Sequence, residues 1–172
     1  MAEGVFRHLS ARAPPPAGVL GTKLPVRWDI DSCGTGAYHT GDPPDTRTMS
    51  TLEDHGIDEY VHAARKVQKV DFRRFDYILA MDRANLAYLL AMRRKLEREA
   101  GGGKGEGKEA GEGAPKSLAR VMLFGDFGGN LGEEVDDPYY GARDGFELAY
   151  HQMVRFSQGF LDHVARNDTA KP

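Results

Sequence analysis

Residues 76 to 96 constrain the fold more than any other stretch of the chain. Asp76-Tyr77-Ile78-Leu79-Ala80-Met81 is a short apolar run of strand length, and a helical pattern takes over directly behind it. Asp82 stands at the junction, where a carboxylate accepts from the first unpaired amides of a helix. Leu86, Leu89, Leu90 and Leu96 then fall on one face of that helix. A buried strand that feeds straight into a long amphipathic helix calls for layers, so the expectation is an α/β domain.

The flanking segments extend the same alternation. Val5, Phe6 and Leu9 share a helical face before Pro14-Pro15-Pro16 stop the element. Val26, Trp28 and Ile30 alternate with Arg27, Asp29 and Asp31, which predicts a strand ending at Ser32, ahead of Gly34-Thr35-Gly36. Met49 and Leu52 predict a short helix closed by Gly56, and Phe72 with Phe75 starts another amphipathic turn. Leu118 to Phe124 read as the last strand. From Asp144 a helix carries Phe146, Tyr150, Met153, Phe160 and Val164 at helical spacing, a core stripe rather than a cofactor box. A chain of 172 residues, 40% of them hydrophobic, fits one domain over residues 1–172 with a core of its own.

Inside that domain, residues 101–113 are a glycine-rich, charged insertion that buries too little surface to offset its ordering entropy, and they are expected to form a mobile loop. Gly102 to Lys108 matches the GxxxxGK spacing of a nucleotide-binding phosphate loop. Glu109, however, stands where a hydroxyl must hold magnesium, and a helix rather than a strand precedes it.

Charge and cysteine content exclude several classes. A net charge of −3 with interspersed signs leaves no basic footprint for nucleic acid or an anionic membrane. The apolar runs are too short to span a bilayer, the N-terminus lacks a secretory pattern, and the expected location is cytoplasmic. The single cysteine, Cys33, forms no internal bridge and is expected to be a small core residue. His8, His39, His55, His62, His151 and His163 show no ligand spacing, so neither a metal nor another cofactor is expected.

One segment carries a chemical signal. An acidic run leads into Asp137-Pro138-Tyr139-Tyr140-Gly141, where the proline pushes Asp137 out of helical backbone onto a turn. Such a carboxylate can protonate an aryl leaving group between two aromatic walls, and the pentapeptide alone reads equally well as an ordinary surface turn.

Taken together, Met1-Ala2-Glu3 with Val5-Phe6, Trp28 to Ser32, Gly34-Thr35, Tyr38, Pro44-Asp45 with Arg47, His55-Gly56-Ile57, His62 with Arg65, Asp76-Tyr77-Ile78 with Met81-Asp82, and Asp137 to Gly141 resemble the low-molecular-weight protein tyrosine phosphatases. The resemblance covers nearly the whole chain apart from the proline-rich linker and the glycine-rich insertion. It implies a three-layer α/β domain on a four-stranded parallel sheet, and hydrolysis of a phosphotyrosine protein or small aryl phosphate through a cysteinyl phosphate. Asp137 matches the general acid; Tyr38, Tyr139 and Tyr140 match walls of the substrate cleft. Ser32 and His62 match polar residues that brace the phosphate loop, although both read as well as surface or capping residues.

The resemblance also places the family's first, central strand and its C-x5-R phosphate loop ahead of Met1. Within these residues no cysteine fits that pattern, because His39 rather than arginine stands six positions after Cys33. The expectation is therefore an N-terminally truncated, inactive member without nucleophile, or, as the alternative, a non-catalytic pseudophosphatase acting as a binding module. No oligomeric state is implied.

Overall fold

The computed structural model describes residues 1–13, 28–101, 117–135, 137–138 and 144–168. Along them run α1 (Ala2–Arg12), α2 (Thr46–Asp54), α3 (Asp71–Arg74), β1 (Tyr77–Ala80), α4 (Arg83–Gly101), β2 (Arg120–Leu123), a 3-10 turn (Phe124–Gly128) and α5 (Asp144–Asp168). The strand-to-helix junction forms as its residues dictate. Asp82 Oδ1 accepts from the Asn85 amide at 2.6 Å and starts α4. Asp45 does the same for α2 through the Arg47 amide at 2.8 Å, and Gly56, at φ +72°, turns the chain away after α2 ends.

β1 and β2 pair in parallel, from Tyr77 opposite Arg120 to Ala80 opposite Leu123. A parallel pair requires a crossover, which α4 supplies. Because side chains alternate across a strand, each face of the pair meets a different layer. Tyr77 and Leu79 pack toward Val5 and Phe6 of α1, Leu52 of α2, and Met153, Phe156 and Phe160 of α5. Ile78 and Ala80, with Val121 and Leu123, pack toward Phe72 of α3 and Leu89 and Leu96 of α4. This is the three-layer α/β arrangement expected from the sequence. A two-stranded pair is marginal on its own, so the helical layers hold it, at ~1.5–3 kcal/mol for each fully buried large apolar side chain.

Two sequence expectations change. Trp28 to Ser32 joins no strand ladder among the described residues; its neighbourhood holds a single parallel bridge, Gly34 to Lys66. Trp28 and Ile30 still pack on the α1–α5 core, while the Ile30 carbonyl accepts from Arg7 Nη2 at 2.8 Å. Alternation thus reported which side chains face inward, but a ladder also needs a neighbouring backbone. β1 is shorter and less enclosed than the fully buried strand expected at 76–81, with Ala80 its one buried residue, since only β2 flanks it among the described residues. Val26 and the residues after 101 in the glycine-rich insertion, including the GxxxxGK match, lie outside the described residues.

Candidate active site

The polar centre of the molecule is built on the first turn of α1. Glu3 points into the core-facing side of that helix and is 4% exposed, a costly place for a carboxylate unless donors surround it. They do. Glu3 Oε2 accepts from Ser32 Oγ at 2.6 Å and from the Tyr60 hydroxyl at 3.3 Å, and lies 3.1 Å from His62 Nδ1. Glu3 Oε1 makes no well-aligned hydrogen bond, but it sits 2.7 Å from Arg7 Nη2 one turn along the helix. His62 Nε2 lies 3.4 Å from Ser32 Oγ, and the Tyr60 and His62 rings stack at 6.4 Å. Burial first, and the Glu3 charge second, push the Tyr60 phenol up to about 12.

A second set of contacts fixes the segment that carries Ser32. Arg65 bridges two carboxylates, reaching Asp31 Oδ2 and Asp71 Oδ2 at 2.9 Å each. Asp31 Oδ1 in turn accepts from the Ser32 amide at 2.9 Å. Ser32 is held on both sides, through its backbone by Asp31 and through its hydroxyl by Glu3. Glu3, Asp31 and His62 offer ligand atoms within 4.8 Å of one another. A cation there would have to displace the Ser32, Tyr60 and Arg65 donors already on those oxygens, so the set serves as a hydrogen-bond network.

The structure therefore brings Ser32 and His62 together, with Glu3 as their common partner. Tyr38 stands on a loop, 96% exposed, its ring folded back toward Gly36. Asp137 is exposed in non-helical backbone, and Pro138 behind it packs toward Gly145 at the start of α5. Tyr139 and Tyr140 lie outside the described residues.

Cys33 departs from expectation: it is exposed rather than a core residue. The half-buried Ser32 beside it turns toward Glu3, which leaves Cys33 on the open side of the segment. Crowding around the sulfur still raises the thiol above its ordinary range, outweighing the Arg65 guanidinium that pulls it down. A raised thiol is the opposite of an activated nucleophile. Sequence reasoning did not single out Glu3 as the hub, nor Tyr60 or Arg7; the available signal was a glutamate three residues before Phe6 on the apolar face of α1.

Comparison with known proteins gives this geometry a context. The model of the family described as low molecular weight phosphotyrosine protein phosphatase matches residues 1–100. A relative of that name from Schizosaccharomyces pombe is 43% identical over 167 residues, covering 96% of this chain and 88% of its own. One from Homo sapiens is 35% identical over 162 residues, covering 94% and 85%. Among solved structures, a Drosophila arginine phosphatase aligns with a TM-score of 0.70 at 27% identity, over 95% of this chain and 87% of its own. No helix among the described residues is long and apolar enough to cross a membrane.

Proposed function

The chain belongs to the low molecular weight phosphotyrosine protein phosphatase family, and from that membership we propose its chemistry: hydrolysis of phosphotyrosine or small aryl phosphate monoesters through a cysteinyl phosphate. Asp137 is the general acid of that reaction. It protonates the departing aryl oxygen and later takes a proton from the attacking water, a role worth about 10²–10⁴-fold in a complete site. Tyr38, Tyr139 and Tyr140 wall the cleft that receives the ring. Ser32 and His62 brace the phosphate-binding loop, and the Glu3 network described above supports that role because it fixes both side chains in one geometry.

The 172-residue polypeptide by itself lacks part of this machinery. Its only cysteine is Cys33, with a raised thiol and no arginine six positions on. Without a C-x5-R loop there is neither a thiolate to attack phosphorus nor a guanidinium fork to hold its oxygens. The purified polypeptide is expected to show no vanadate-sensitive hydrolysis of an aryl phosphate, and measurable vanadate-sensitive turnover would refute this. The observation that carries the family reading is the match of the family model to residues 1–100 together with a relative aligned over 96% of this chain. If the chain acts instead as a binding module, it retains a phosphotyrosine peptide in a titration without hydrolysing it.

A further inference from the structure

The acidic run ahead of Asp137 is held by three different parts of the fold. Glu133, Glu134 and Val135 lead into Asp137, and each is tied to a different element. Glu133 is gripped from α5: Arg155 Nη2 reaches its Oε1 at 2.6 Å and Nη1 its Oε2 at 2.9 Å, in a bidentate fork. Gln152 adds a bond to Oε1 at 3.0 Å, and Asn130 one to Oε2 at 3.1 Å. Glu134 turns the other way, to the start of α4. Its Oε2 accepts from the Arg83 amide at 2.9 Å and its Oε1 lies 2.8 Å from Arg83 Nε. Arg83 also donates to the Gly132 carbonyl at 3.2 Å. The Val135 amide donates to the Met81 carbonyl at 2.9 Å, just past the end of β1.

Tightness of the backbone supports the same view. A side chain at Gly125 would run into the Glu133 carbonyl, so the 3-10 turn and the acidic run lie against each other with no slack. On the far side, Pro138 rests on Gly145, 3.4 Å from where a Cβ would sit. Asp137 is thus bracketed by anchors to α4, α5 and the end of β1 within four residues before it, and by the start of α5 after it.

We infer that Glu133 and Glu134 are positioning residues for Asp137: paired carboxylates that pull in opposite directions, to Arg155 and Arg83, and fix where the Asp137 carboxylate is presented. The inference rests on the reading of Asp137 as the general acid. A proton donor on an exposed turn delivers its proton only if the turn is held to within a fraction of an ångström. A surface loop has no intrinsic rigidity of that kind. Two charge-assisted anchors on rigid helices supply it.

The test uses the full chain, isotopically labelled, and reads the backbone and the Asp137 carboxyl carbon by NMR. Glu133→Gln and Glu134→Gln are expected to speed amide exchange at Val135 and Asp137 at least ten-fold more than at Ile78 in β1, and to broaden the Asp137 carboxyl signal while leaving that of Asp45 sharp. Glu134→Asp, which keeps the charge, restores part of the protection. Should Glu133→Gln fail to fold, Arg155→Lys serves instead: it keeps the charge of a side chain that is 41% exposed and removes the fork on Glu133. Equal acceleration at Val135, Asp137 and Ile78, with an unchanged Asp137 signal, would overturn the inference. No substrate enters this measurement, so that failure leaves the acid assignment standing, whereas the hydrolysis assay bears on the reaction alone.

Discussion

Gly159 lies in the interior of α5, where replacing glycine by alanine ordinarily gains about 1 kcal/mol of helix stability. Here the opposite is expected. A Cβ at Gly159 would fall within the van der Waals envelope of the Phe127 carbonyl oxygen, 2.9 Å from its carbon and 3.5 Å from the Phe127 Cα. The obstacle is backbone of the 3-10 turn, so no rotamer change relieves it. To restore ordinary contact, near 3.5 Å, α5 must retreat by on the order of 1 Å. That movement opens the aromatic packing between the 3-10 turn and α5, with Phe127 to Phe160 at 5.0 Å and Phe124 to Phe156 at 5.5 Å between ring centroids. Overpacking costs about 1–3 kcal/mol, and each aromatic pair that opens adds about 0.5–1.5 kcal/mol. With both pairs opened and the propensity gain subtracted, Gly159→Ala is expected to lose about 3 kcal/mol. In urea, with m of ~1–3 kcal/mol/M, the midpoint drops by about 1.5 M. Gly101→Ala, at the end of α4 with nothing within 4 Å of its Cβ, serves as the control and leaves the midpoint unchanged or higher. A midpoint for Gly159→Ala at or above wild type would refute the packing argument.

The anchoring of Glu133 has a pH signature of its own. The Arg155 hydrogen bonds, followed by those from Gln152 and Asn130, hold its carboxyl down at about 2. A depressed carboxylate contributes its stability in full above the ordinary range and loses it as pH falls toward the folded value. The stability difference between wild type and Glu133→Gln, measured in urea, should therefore be constant above about pH 5 and shrink steadily toward pH 2; a difference that grows with acid would contradict it. Cys33 is exposed yet carries a raised thiol, so its reaction with a disulfide reagent at about pH 7.5 should be slower than that of free cysteine. Faster modification would mean that Arg65 controls the sulfur instead.

The layered core was legible because it depends on periodicity alone. The apolar face of α1, the cap at Asp82 and the stripe of α5 each follow from residues within a few turns of one another. β1 and β2 were legible as strands for the same reason. Trp28 to Ser32 shows the limit of that logic. Its alternation reported correctly that Trp28 and Ile30 face the core, but whether an extended segment joins a sheet depends on a partner backbone remote in sequence.

The site divides along a similar line. Ser32 and His62 were reachable only through family resemblance, because single polar residues on turns carry no periodic signal, whereas Asp137 was marked by its proline-stiffened, aromatic-flanked turn, a signal that an ordinary surface turn shares. Glu3 had a signal: a carboxylate on the apolar stripe of a helix is expensive, and its presence implies donors waiting nearby. Arg7 one turn on, with Ser32, Tyr60 and His62 from elsewhere in the chain, are those donors. The acidic run at Glu133-Glu134 repeats the lesson with the opposite appearance. In sequence it looks like a solvated stretch, and nothing local distinguishes it from one. Its meaning lies in Arg155 and Arg83, 22 and 51 residues away, whose guanidinium groups turn two surface charges into anchors. Charge patterns become informative once the partner of each charge is known, and here those partners lie on two different helices that flank the same turn.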